Sequence, residues 1–141
     1  MFNRTLLLAA FLVGCFLAAG AQQKEIKHVP VRPTSASSGH DMFANYCAVC
    51  HGTDGKGAGP AADALKAPPS DLSILSKKNG GKYPAAHVSS ILRGGLEKSA
   101  HGSKEMPVWG PILLQTSHGH AGEVELRVAN LTKYVESLQV K

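Results

Sequence analysis

Hydrophobic positions recur most regularly towards the C-terminus. Val124, Val128, Leu131, Val135 and Leu138 follow one another at steps of four, three, four and three, a single apolar stripe on a helix over 123–139. Glu123 and Glu125 stand in its first turn, where the helix dipole favours them. A second helix is predicted from Ser37 to His51, with Ser37 or Ser38 as cap and no Pro inside. Ser70 can cap a short helix over 71–78, which Asn79-Gly80-Gly81 ends. Another runs from Pro84 to Arg93, with Pro in the first turn and Gly94-Gly95 at the end. Gly55, Gly57, Gly59 and Pro60 mark a loop, and 96–122, rich in Gly, Ser and His, reads as a longer one. No run alternates as a strand. The fold class is all-α: three to four short helices and long loops.

The N-terminus follows a different pattern. After Arg4, Leu6 to Ala19 carry no charge, and Ala19-Gly20-Ala21 is a small-x-small cleavage site. That apolar run is too short to span a membrane comfortably. Residues 1–21 are read as a signal peptide cleaved after Ala21. A competing reading takes Leu12-Val13-Gly14-Cys15 as a lipoprotein box with Cys15 acylated, although the apolar run continues past Cys15 to Ala19. Residues 22–36, with Pro30 and Pro33 among polar residues, read as an extended tether, and 37–141 as the folded domain. There is no internal repeat.

Composition changes the picture in one respect. Gly 15 and Pro 8 in 141 residues are too few for a low-complexity chain, and three cysteines are too few for a disulfide scaffold. Without residues 1–21 the aromatics are Phe43, Tyr46, Tyr83, Trp109 and Tyr134, few large side chains for a core. A loop as long as 96–122 is uncommon in a small domain unless it packs on something. A large apolar cofactor would supply both the surface and the missing core.

Cys47-Ala48-Val49-Cys50-His51 carries the chemistry. C-x-x-C-H is the attachment spacing of a c-type haem. Each thiol adds to one porphyrin vinyl group, and Cys47 and His51, at i and i+4 on a helix, share a face. His51 can then ligate the iron. Three other readings stand beside it. A structural zinc site needs about four ligands; there is no second Cys pair, and His118 and His120 would have to complete it. A thioredoxin-like dithiol expects a βαβ pattern that is absent. A plain disulfide gives His51 no role.

With these residues the chain resembles small soluble class I c-type cytochromes, monohaem electron carriers, over roughly 37–140. Gly39 and Phe43 are similar to the family's pair on the helix before the haem site, and Leu131 and Tyr134 to the last-helix residues that pack on them. Gly59-Pro60 looks like the turn whose Pro carbonyl accepts the His51 ring N–H. Leu72 looks like the pocket-lining residue of a P-x-D-L segment. Met106-Pro107-Val108-Trp109-Gly110 is similar to the segment that supplies the sixth ligand. The resemblance implies the cytochrome c fold around one covalent haem c. It implies Cys47 and Cys50 as thioethers, His51 and Met106 as axial iron ligands, and Pro60, Leu72 and Trp109 in the haem environment.

Other candidates for the sixth position are Met42, His40, His87, His101, His118 and His120. Met42, five residues before Cys47 on the same helix, cannot reach the opposite porphyrin face. Met106, 55 residues beyond His51, can, and His101 is its best rival. Arg93 and Tyr83 are possible propionate partners. The insertion His118-Gly119-His120 reads as surface loop.

Formal net charge is +5, and Arg4 is the only charge in residues 1–21. Lys56, Lys66, Lys77, Lys78, Lys82, Arg93, Lys98 and Lys104 face only Asp63, Asp71, Glu97 and Glu105 in the loops around the expected haem edge. That excess suits redox protein partners with an acidic docking surface. No nucleic-acid partner is expected, because the aromatics do not interleave with the basic residues and the chain reads as exported. The membrane enters only through partner complexes or a lipid at Cys15. The function expected is an exported, periplasmic one-electron carrier, not an enzyme, moving electrons between respiratory or periplasmic partners. The alternatives are a haem subunit or electron inlet of a periplasmic oxidoreductase, or a ligand sensor with an open sixth position.

Overall fold

The computed structural model describes residues 31–94 and 106–140. Residues 1–21, read as a signal peptide, with Cys15, and likewise His101, Lys98 and Lys104, lie outside the described residues. Among the described residues there is no strand, and no helix is long and apolar enough to cross a membrane.

The first helical stretch has three parts: α1 (Gly39–Met42), a π-helical segment (Phe43–Cys47) and α2 (Ala48–His51). Ser38 caps it, its Oγ accepting from the Asp41 N–H at 3.1 Å. One regular α-helix was the expectation. A π turn stands in its middle instead, with Met42, Phe43 and Tyr46 buried and Ala44 and Asn45 exposed. Two 3₁₀ turns follow, Ala62–Ala64 and Leu72–Ile74. The second leads into α3 (Leu75–Lys78), and its cap is Asp71, not Ser70: Asp71 Oδ1 accepts from the Ser73 N–H at 2.8 Å and its hydroxyl at 2.6 Å. Next come α4 (Ala85–Leu92), α5 (Trp109–Thr116) and α6 (Ala121–Ser137).

Helix α5 lies where the sequence reads as loop. Gly110-Pro111 suggests a breaker, but both fall in the first turn, where Pro costs no hydrogen bond. Trp109 and Leu113, one turn apart, then face the core. The α5–α6 turn holds His118 (φ 49°) and Gly119 (φ 82°), and His120 Nδ1 lies 2.9 Å from the Ser117 carbonyl.

Helix α6 packs against α1, α4 and α5. Val128, Leu131 and Val135 of its stripe are buried, each contributing roughly 1.5–3 kcal/mol relative to exposure. Against α1 the approach is close enough to require glycine: a β-carbon on Gly39 would fall inside the Asn130 backbone carbonyl. Phe43 and Tyr134 meet there with ring centroids 5.2 Å apart. Tyr83 donates to the Thr132 carbonyl at 2.9 Å, and Ser89 Oγ lies 3.0 Å from Thr132 Oγ1, so α6 is pinned to α4 and the residues before it.

Residues 31–36, read as the end of a tether, carry no helix or strand but are bound to the domain. Arg32 and Ala36 lend carbonyls to Tyr46 and to Asn130 Nδ2, at 2.7 and 2.9 Å, and Thr34 bonds to Tyr46 and Arg127.

Candidate haem site

The C-x-x-C-H motif closes the first helical stretch, leaving four carbonyls without helical partners. The loop after it takes up all four. Gly52 N–H donates to Ala48, Ala61 to Val49, Gly59 to Cys50 and Gly57 to His51, at 2.9, 2.8, 3.0 and 2.7 Å. Gly59 is needed for that approach, since a β-carbon there would meet the carbonyls of Ala48 and Val49. The glycine-rich loop thus holds the motif from behind.

In front of the motif lies a cavity of about 1130 Å³ of atom-free space, its open mouth included. Cys47, Cys50 and His51 line it, together with Tyr46 and Phe43. Pro68, Pro69, Ser70, Leu72 and Leu75 form one further part of the wall; Val88, Ile91 and Leu92 of α4 another. Met106, Pro107 and Trp109 join them, with Leu131 and Val135 of α6. A domain whose core helices enclose an apolar hollow is built around a large apolar group.

His51 is 8% exposed, and its Nδ1 lies 3.0 Å from the Ser70 carbonyl oxygen. A carbonyl only accepts, so Nδ1 carries the proton and Nε2 keeps its lone pair. Burial holds the imidazole below its ordinary pKa, with the Ser70 bond opposing, so the ring is neutral as a metal ligand must be. Burial, with the neighbouring Cys50 second, pushes the Cys47 thiol up to about 12. A redox dithiol or thiolate site works the other way, by lowering the thiol pKa. Cys47 and Cys50 stand as separate thiols.

The acceptor for His51 corrects the expectation placed on Pro60. Pro60 is exposed and does not line the cavity. Gly59 and Ala61 use their N–H groups on the back of the motif, and Pro68-Pro69 carries Ser70 to the imidazole instead. Leu72, Trp109 and Met106 do line the cavity. Met42 is buried in the core, outside it. Arg93 and Tyr83 do not line it either: Arg93 pairs with Glu125 at 2.6 Å, and Tyr83 bonds to Thr132. Sequence reasoning missed Ser70 and Tyr46. Tyr46 stacks on Trp109, centroids 5.6 Å apart at 26°. His87 also lines the cavity.

The donor set suits a haem. A hard cation asks for several oxygen ligands and structural zinc for about four N/S ligands. Among the described residues no group of three His, Cys, Asp or Glu could hold a metal ion. The neutral His51 imidazole, the Met106 thioether and the two thiols, around an apolar hollow that His87 also lines, match a flat apolar macrocycle that brings its own four equatorial nitrogens.

A family model for cytochrome c matches residues 36–113, more than half of the chain, from before the attachment motif to beyond Met106. Neither the comparison with curated proteins nor that with solved structures finds a match. With its helical fold and this cavity, the chain belongs to the cytochrome c family, and its cofactor is a covalently bound haem c.

Proposed function

We propose that the protein is exported and carries single electrons between redox proteins outside the cytoplasm, its haem joined through Cys47 and Cys50 and ligated by His51 and Met106. One observation carries this reading: a single apolar cavity is lined by both cysteines, by a neutral His51 and by Met106. The haem, when bound, supplies a one-electron couple. The Ser70 carbonyl orients His51 and raises its basicity. Met106 is a soft, neutral ligand that favours the ferrous state and raises the potential. The apolar walls keep water out. Were His51 and Met106 both to hold the iron, no site would be left for oxygen or peroxide.

Export rests on the signal peptide pattern of residues 1–21, and an acylated Cys15 is the alternative mode of attachment. The partner is a protein with an acidic face. Val49 and Val108, 48% and 61% exposed, each stand beside cavity residues and offer a small apolar contact. Exposed Lys77, Lys78 and Lys82 supply positive charge.

Optical spectroscopy of the purified protein tests the ligand set. A low-spin ferric spectrum with the weak long-wavelength band of Met–iron bonding is expected. A high-spin ferric spectrum with rapid CO binding on reduction overturns the carrier reading and favours an enzyme or a sensor.

A further inference from the structure

Arg127 of α6 is 3% exposed. Its guanidinium donates to Glu123 Oε1 from Nη2 and Nε, at 2.7 and 3.2 Å, and to Ser117 Oγ from Nε at 3.0 Å. From Nη1 a further bond leaves the helix and reaches Thr34 Oγ1 at 3.2 Å, 93 positions back in the chain. Thr34 Oγ1 lies 2.8 Å from the Tyr46 hydroxyl, which donates to the Arg32 carbonyl at 2.7 Å. The direction of this chain is forced. A guanidinium only donates and a carbonyl only accepts. Tyr46 spends its one proton on Arg32, so Thr34 donates to Tyr46 and accepts from Arg127.

The far end of the chain is the cavity wall, since Tyr46 and the Trp109 ring stacked on it both line the cavity. The family match covers 36–113, so Arg32, Thr34 and Arg127 all lie outside it. A buried cation costs desolvation, and four acceptor contacts are spent on holding this one in place.

We infer that Arg127, Thr34 and Tyr46 form a clasp that holds residues 31–36 against the back of the haem cavity and thereby sets the reduction potential. The inference rests on the electron-carrier reading and deepens it. Thr34 and Arg127 are positioning residues acting through Tyr46. Ferric haem carries one more positive charge than ferrous haem, so a dry wall disfavours it and a wetted wall favours it. Releasing the clasp admits water beside Tyr46 and lowers the potential.

The test is spectroelectrochemistry on the purified haem protein, with thermal unfolding alongside. Thr34→Val keeps the shape, removes the hydroxyl and leaves Arg127 and Tyr46 without their link. It should shift the reduction equilibrium towards ferric by about three- to tenfold. Thr34→Ser restores the hydroxyl and should return the potential to that of the parent. Tyr46→Phe keeps the ring on Trp109 and loses the link, so it should lower the potential by itself and add little to Thr34→Val. If Thr34→Val yields no haem protein, Tyr46→Phe alone decides. An unchanged potential in these variants, even with a lowered melting temperature, overturns the clasp. Fully additive shifts in the double variant overturn it as well. A parent protein without a reversible one-electron couple overturns the carrier reading instead.

Discussion

His51 Nδ1 points at the backbone carbonyl of Ser70, 3.0 Å away, and that one contact fixes which nitrogen of the ring is free for iron. A backbone acceptor is indifferent to its own side chain. Ser70→Ala should therefore leave the visible spectrum and reduction potential as they are. Pro60→Ala should do the same, because Pro60 faces solvent. A marked drop in potential for either variant, by spectroelectrochemistry, would show that more than the Ser70 backbone carbonyl holds His51.

The same burial predicts a pH dependence. It lowers the folded-state pKa of His51 below its usual 6.5, so the unfolded chain takes up a proton that the folded protein refuses. The stability contributed by neutral His51 is complete above about pH 6.5 and drains away as pH falls through the depressed value. Iron ligation pushes in the same direction. Melting temperatures measured by circular dichroism from pH 7.5 to pH 4 should fall, with the low-spin spectrum giving way at the acid end. A melting temperature that rises on acidification contradicts this.

Met106→Ala should open the sixth position: the ferrous protein then binds CO, and the potential drops. Met106→His should keep a low-spin spectrum and also lower the potential. The drop expected is on the order of 0.1–0.3 V, part of the about 0.8 V that axial ligands span. An unchanged spectrum in Met106→Ala would remove Met106 from the iron and bring forward His87, which lines the cavity, and His101.

Gly39→Ala should destabilise the protein by about 1–3 kcal/mol in denaturant unfolding, since the new methyl group meets the Asn130 carbonyl where α1 crosses α6. Tyr83→Phe should cost about 0.5–1.5 kcal/mol, the Thr132 bond, with no change in potential. A shifted potential in Tyr83→Phe would bring Tyr83 back to the haem.

Much of this architecture is legible in the sequence where side chains carry the signal. The α6 stripe is plain because one helix buries a face against three others, and C-x-x-C-H is plain because thioether geometry fixes the spacing. Helix α5 was hidden by Gly110-Pro111, two residues that break helices everywhere except the first turn. Ser70 was hidden because the group that matters is a carbonyl, which every residue possesses. The docking of residues 31–36 was hidden for the opposite reason: its partners Tyr46, Arg127 and Asn130 lie 12 to 94 positions away and no local pattern points to them.

Mass spectrometry of the intact protein, purified from cells that can attach haem, tests the central claim most directly. The account predicts a chain beginning after Ala21 that carries the added mass of one haem, surviving denaturation and lost in the Cys47→Ala, Cys50→Ala double variant. A colourless protein with the mass of its bare polypeptide would contradict it.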